Sequence, residues 1–325
     1  MPKPKPTARP MTIAHRGACG YLPEHSLAAK AMAHAMGADY LEQDLVATRD
    51  DQLVVLHDIH IDRVTDVARQ FPEAARDDGR FYARDFTLAQ LQTLRLTERT
   101  DAAGAAVFPG RFPVGSTGLR IVSLDEELQL IRGMNASTGR IVGIYSEIKK
   151  PQWHYNEGVD VAALLLERLA QHGYARTPEQ VWLQCFDLDE NIRLSKLSDC
   201  PYRLIQLIGD DSWQESPTRY SELLAPGGLA QLTGIVAGIG PWLAQLYAHT
   251  DEDRVLTTDV IEQAKAAGLA IHPYTLRADA LPAGFSSFEA VLDWLVGAGV
   301  DGIFTDFCDR AVAHFDALAL APATR

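Results

Sequence analysis

Short runs rich in β-branched and other apolar residues alternate along this chain with longer stretches whose apolar positions recur at helical spacing. The strand-sized runs are MTIAH (11–15), DYLEQDLV (39–46), IVGIYSEIK (141–149) and VWLQCF (181–186). They continue with YRLIQLI (202–208), GIVAGIG (234–240), LAIHPYT (269–275) and DGIFTDF (301–307). Between them lie helical patterns such as HSLAAKAMAHAMG (25–37), VDVAALLLERLAQHG (159–173) and TDVIEQAKAAG (258–268), each closing on a glycine. Such alternation is the mark of parallel βα units rather than of a sandwich or a bundle. Eight strands is the number that closes a barrel of such units. The pattern therefore predicts an α/β chain: one (β/α)8 TIM barrel spanning residues 11–320.

One stretch breaks the rhythm. Residues 61–122 carry DRVTDVARQFPEAARDDGRFYARDF and then FPGRFPVG, too long for a plain βα loop and rich in Arg, Asp, Gly, Pro and aromatics. This segment is expected to be a small inserted subdomain after the second βα unit, on the barrel face that bears the loops. Its aromatics Tyr82, Phe108 and Phe112 either cap a substrate or form its own small core. The short run QLVVLHD (52–58) should continue or pair with the second strand. The proline-rich, basic start, residues 1–10, reads as a flexible leader with no apolar signal region, and ALALAPATR at the other end as a loose tail. No fixed-period repeat is visible.

Composition narrows the class without naming it. At 325 residues, 47% hydrophobic and 22% charged, the chain suits one large barrel with an insertion. A formal charge of -13 argues against nucleic acid or an anionic membrane as a general partner. It leaves room for a small anionic substrate, because a metal and a few cations invert the field inside a pocket. The apolar runs fall short of the ~20 residues that a membrane-spanning helix needs. Cys19, Cys185, Cys200 and Cys308 form no CxxC pair and no disulfide framework, so the redox compartment stays open.

The chemistry concentrates at the ends of the first strands, where barrels of this type place catalytic groups. The first strand ends in His15-Arg16-Gly17, and the second carries Glu42 and Asp44, two apart and hence on one face. The next strand-like piece ends in His57-Asp58, and the third full strand in Glu147-x-Lys149. Three hard oxygen donors suit Ca²⁺ or Mg²⁺. Two imidazoles suit acid–base work near neutrality, and Arg16 and Lys149 suit a phosphate. Each piece has a bland reading: a lone histidine after a strand is usually structural, and Glu147 with Lys149 forms a plain ion pair. Their joint occurrence in three consecutive barrel units favours phosphoryl transfer.

At these residues the chain resembles the glycerophosphodiester phosphodiesterases, most closely the long bacterial periplasmic form. The likeness is carried by HRGACGYLPEHS (15–26), YLEQDL (40–45), LVVLHDIHIDRVTD (53–66) and SEIKKP (146–151). QCFD (184–187), HPYTLR (272–277) and GIFTDF (302–307) extend it along the barrel. The resemblance implies a divalent metal, Ca²⁺ or alternatively Mg²⁺, held by Glu42, Asp44 and Glu147. It implies His15 and His57 as base and acid, with His57 protonating the leaving alcohol, and Arg16 and Lys149 on the phosphate. Gln184, Phe186 and Tyr274 would line the pocket. In the family a neighbouring glycerol hydroxyl is thought to attack phosphorus to give a cyclic phosphate; direct attack by water would use the same residues. Glycerol 3-phosphate and an alcohol would be the products, the periplasm the expected location and a homodimer the expected assembly.

The sequence departs from the family pattern at four places. Ser146 and Cys308 stand where relatives often have proline, Trp242 where an acidic residue is common, and Tyr274 where many carry tryptophan. Nothing marks Cys19 as a nucleophile, although it neighbours the phosphate-binding turn. Two rival readings share these residues: a phospholipase or sphingomyelinase D-type phosphodiesterase on the same barrel, and a surface binding protein that has lost turnover. An acidic chain without evident apolar loops speaks against the first. A complete set of seven site residues speaks against the second.

Overall fold

A computed structural model describes residues 9–115, 117–249 and 255–320. Eight parallel strands follow one another around a barrel: β1 Met11–Ala14, β2 Tyr40–Ala47, β3 Gly143–Ile148, β4 Val181–Cys185, β5 Arg203–Ile208, β6 Gly238–Pro241, β7 Ala270–Ile271 and β8 Gly302–Thr305. Neighbouring strands pair from β7 through to β1, and β1 pairs with β8. The remaining seam is closed by backbone bonds from Asp301 to Ile271 at 3.0 Å, Phe304 to Pro273 at 3.0 Å and Leu276 to Phe304 at 2.9 Å. The α/β barrel expected from the alternation is what the chain forms.

A helix follows each strand: α1 Leu27–Met36, α2 Leu124–Thr138, α3 Val161–Gln171, α4 Leu188–Ser195, α5 Tyr220–Leu224, α6 Val260–Ala266, α7 Phe288–Ala298 and α8 Cys308–Leu320. Their ends are written in local chemistry. Ser26 caps α1 by accepting the Ala29 N–H, and Gly37 closes it in the left-handed region at φ 99°. Ser123 and Glu126 form a reciprocal capping box at the start of α2. The main core, including Leu41, Ile144, Leu165, Leu183 and Ile239, lies between the strands and this helical ring. Inside the barrel, Tyr145, Trp182 and Phe304 form an aromatic floor with Ile13, Ile205 and Leu207. That floor makes the barrel a filled core, with the site above it.

Three expectations about boundaries need correction. The sixth strand begins at Gly238 rather than 234, because Gly234 turns the chain at φ 79° and Val236 bonds back to Leu232. The seventh is only Ala270–Ile271, since Pro241 on β6 has no N–H to donate to the His272 carbonyl, although His272 and Tyr274 still donate to Ile239 and Pro241. Ala317 to Leu320, expected in the loose tail, continue α8, whose Phe315 is buried; residues 321–325 lie outside the described residues. Residues 1–8 of the expected leader also lie outside them, while Arg9 pairs with Asp39 at 2.8 Å.

The run 52–58 pairs: Leu53–Val55 lies antiparallel to the end of β2, with Leu45 opposite Val55. The segment 61–122 follows, with the short helices Val67–Gln70 and Leu88–Leu91. It has its own apolar cluster, which includes Ile61, Val64, Phe81, Phe86, Leu91 and Leu94. Tyr82 packs against this cluster and stacks on Trp153 with ring centroids 5.7 Å apart.

Candidate active site

The site is assembled by strand register. On β2 and β3, Asp44 stands opposite Glu147, and on β3 and β4, Glu147 stands opposite Gln184. Alternation sends Glu42 and Asp44 into the barrel mouth, while Gln43 between them turns outward to Glu127 at 2.9 Å. One oxygen from each of Glu42, Asp44 and Glu147 lies within 4.8 Å of the others, and all three side chains are buried.

The turn after β1 is bent to serve this cluster. Arg16 sits in the left-handed region at φ 56° and Gly17 at φ 86°, where a Cβ would lie 2.8 Å from the Ala29 carbonyl carbon. The bend aims the Arg16 N–H at Glu42 Oε2, 2.7 Å away. Gln184 Nε2 donates to Glu42 Oε1 at 2.9 Å. Lys149 Nζ lies 2.8 Å from Glu147 Oε1. His25, at φ 58°, donates from Nε2 to Asp44 Oδ2 at 2.8 Å.

The electrostatics are those of crowded acids. Burial and the nearby Asp44 charge push the Glu42 carboxyl well up, and Glu147 is raised by burial and Asp44 against the pull of Lys149. Asp44 is held well below the usual carboxylate range; burial opposes this, but the charge and hydrogen bond of His25 overcome it. Its Oδ1 is buried without a hydrogen-bond partner. Two strained carboxyls and one orphaned carboxylate oxygen facing the same point fit a hard divalent cation. A second group, His15, Cys19 and Asp306, is equally compact, but Arg111 and Arg277 hold Asp306 Oδ2 at 2.7 and 2.8 Å, and their charge opposes a cation there.

Both sequence-predicted histidines face the same cavity of about 250 Å³. His15 donates from Nδ1 to Asp306 Oδ1 at 2.6 Å, which leaves Nε2 as the acceptor, 4.0 Å from Glu42 Oε2. Burial and Arg16 lower its pKa to about 3, against the pull of Asp306. His57 donates from Nδ1 to Asp58 Oδ1 at 2.7 Å, and burial with Arg16 and Lys149 lowers it to about 4. Arg16, Lys149, Gln184, Phe186 and Tyr274 line this cavity with the three acids. All ten residues singled out in the sequence thus come together. Tyr274 donates its hydroxyl to the Ile208 carbonyl at 3.0 Å and meets Phe186 edge-on.

Of the other lining residues, Trp213 and Glu215 gave no signal in the sequence, Trp242 appeared there only as a departure from the family pattern, and Arg277 only as the end of HPYTLR. Trp213 and Glu215 follow β5, Arg277 follows β7, and Trp242 packs edge-to-face on Trp213 at 5.2 Å. Asp306 was in view only as part of GIFTDF, and His25 only as part of HRGACGYLPEHS and of a helix pattern. Of the insertion aromatics, Phe108 lies under the Arg111 guanidinium at 3.7 Å; neither it nor Tyr82 lines the cavity. Ser146 turns away from the site to Gln43 and Cys308 contacts Met36, so these two departures do not touch the chemistry. Burial pushes the Cys19 thiol well up, which keeps it protonated and a poor nucleophile.

Comparison with known proteins agrees with this geometry. Residues 15–310 match the model of the glycerophosphoryl diester phosphodiesterase family. A glycerophosphodiester phosphodiesterase of Haemophilus influenzae is 40% identical, over 92% of this chain and 88% of its own. One of Treponema pallidum is 35% identical, over 93% and 90%. Among solved structures, a putative glycerophosphoryl diester phosphodiesterase of Silicibacter pomeroyi shares the fold with a TM-score of 0.66 at 20% identity, covering 97% of this chain and 95% of its own. A phosphodiesterase of Oleispira antarctica, solved with its product sn-glycerol-3-phosphate, has a TM-score of 0.62 at 19% identity, over 95% and 97%.

Proposed function

Because the chain belongs to the glycerophosphoryl diester phosphodiesterase family, we propose that it hydrolyses glycerophosphodiesters, such as glycerophosphocholine and glycerophosphoethanolamine, to glycerol 3-phosphate and an alcohol. The observation that carries this reading is the convergence of three buried carboxylates, two imidazoles, two guanidinium groups and one ammonium on a single cavity.

Glu42, Asp44 and Glu147 would hold a divalent cation, Ca²⁺ or Mg²⁺. Such a cation supplies charge neutralisation at phosphorus and acidifies an attacking hydroxyl. The protein's own groups do the rest. Arg16 and Lys149 neutralise the phosphate oxygens and orient the diester. His15, neutral at physiological pH and held through Nδ1 by Asp306, offers Nε2 to take the proton of the attacking hydroxyl. His57 delivers a proton to the departing alcohol oxygen. Its low pKa reflects burial beside two cations, and a bound diester anion supplies the opposing charge that restores the imidazolium. The attacking hydroxyl is either the neighbouring one on glycerol, giving a cyclic phosphate, or water; both use this arrangement. Among the described residues no helix is long and apolar enough to cross a membrane. A periplasmic location and a homodimer stay part of this reading on the resemblance alone.

Phosphorus NMR of glycerophosphocholine turnover tests the proposal. Glycerol 3-phosphate with free choline supports it, and its loss in folded His15→Ala and His57→Ala supports the roles. Phosphocholine as the product, or turnover of liposomal lipid only, contradicts it.

A further inference from the structure

We propose that Arg99, in the inserted segment, is a positioning residue for the reaction: through Asp58 it fixes the His57 imidazole, and through Glu24 it fixes Arg16. The inference rests on the reading of His57 as the group that protonates the leaving alcohol.

The contacts form a chain with no break. His57 Nδ1–H donates to one oxygen of Asp58 at 2.7 Å, and Arg99 Nη1 donates to the other at 2.6 Å. Held at both oxygens, the Asp58 carboxylate cannot rotate, so His57 keeps its remaining nitrogen for the cavity that it lines. The other edge of the same guanidinium grips Glu24, Nε to Oε2 at 2.8 Å and Nη2 to Oε1 at 2.6 Å. Glu24 Oε2 in turn accepts from Arg16 Nη1 at 2.9 Å. One planar fork thus spans two carboxylates, each holding a different cavity residue. A lysine, a single point charge, cannot do this. Asp306, the partner of His15, is braced by both Arg111 and Arg277, so loss of one leaves a counter-ion. For Asp58 the structure gives Arg99 as the only cationic side chain in an ion pair besides His57 itself, among the described residues.

The consequence concerns one step, proton delivery to the leaving oxygen. Choline leaves as an alkoxide and needs that proton, whereas 4-nitrophenol leaves as a stable anion without it. Wild-type protein, Arg99→Ala, Arg99→Lys and Asp58→Asn would be assayed on glycerophosphocholine and on glycerol 3-(4-nitrophenyl phosphate). Arg80→Ala, which breaks the Arg80–Asp62 pair elsewhere in the insertion, serves as the control for general loosening.

The expected result is a split in kcat. Arg99→Ala loses about 100-fold on glycerophosphocholine and less than about 10-fold on the nitrophenyl diester, the size of a lost proton transfer. Asp58→Asn shows the same split, combining it with Arg99→Ala adds only the smaller loss, common to both substrates, that comes from releasing Glu24 and Arg16, and Arg99→Lys falls between. Arg80→Ala changes neither substrate. An equal loss on both substrates, or no loss, overturns the inference while leaving the hydrolase intact. A wild-type protein that turns over neither substrate overturns the proposed function and the inference with it. Should Arg99→Ala fail to fold, Arg99→Lys and Asp58→Asn decide by the same split.

Discussion

Asp44 and Glu147 stand directly opposite each other on neighbouring parallel strands, and Gln184 stands opposite Glu147 on the next. That register, rather than closeness in sequence, gathers the acids. Strand pairing holds the three side chains at spacings set by the ladder, so the site is rigid before anything binds.

His25 orients Asp44 from behind, and its shortening should weaken cation binding without removing a ligand. His25→Asn tolerates the left-handed backbone at φ 58° but cannot reach Asp44 in the same way. Loss of such an outer partner typically costs ~10–100-fold in metal affinity. The expected outcome is a rise of that order in the Ca²⁺ or Mg²⁺ concentration giving half-maximal activity, with activity recovered at saturation. An unchanged concentration dependence would contradict the role given to His25.

Lys30 and Glu127 form a fully buried pair at 2.7 Å between α1 and α2, and Lys30 also donates to the Glu42 carbonyl. Breaking one side strands a charge where water cannot reach it. Lys30→Met is expected to destabilise the fold by ~3–5 kcal/mol, read by urea unfolding. Lys30→Met combined with Glu127→Leu should recover most of that loss.

Acid should loosen the loop after β3. His154 accepts the Ala47 N–H at Nε2 and donates from Nδ1 to the Lys149 carbonyl at 2.9 Å, and burial lowers its pKa to about 4. The folded value lies below the unfolded one of ~6.5, so the unfolded chain binds the proton more readily. The stabilisation is complete above pH ~6.5 and is lost as pH falls through about 4, by up to ~3 kcal/mol. His154→Gln keeps an acceptor and does not titrate; its stability should vary less over that window in pH-dependent denaturation.

The sequence made the barrel and the acid–base set legible because both follow local rules. Period-two alternation set Glu42 and Asp44 on one face, and each motif sits at a strand end. What stayed hidden depends on distant contacts. Asp306 meets His15 only because β8 closes on β1, and Arg99 meets Asp58 only because the insertion folds back over the mouth. Trp213 and Trp242 join through loops whose paths no periodicity describes. The seventh strand was expected to run to residue 275, but its ladder with β6 lapses after Ile271, where Pro241 has no N–H to offer the His272 carbonyl.

Release of glycerol 3-phosphate from glycerophosphocholine, followed before and after chelation with EDTA and then with Ca²⁺ or Mg²⁺ restored, tests the carboxylate cluster most directly. Activity should vanish with chelator, return with one of the two cations, and fail to return in Glu147→Gln. Full turnover in EDTA by protein stripped of metal would contradict the central claim.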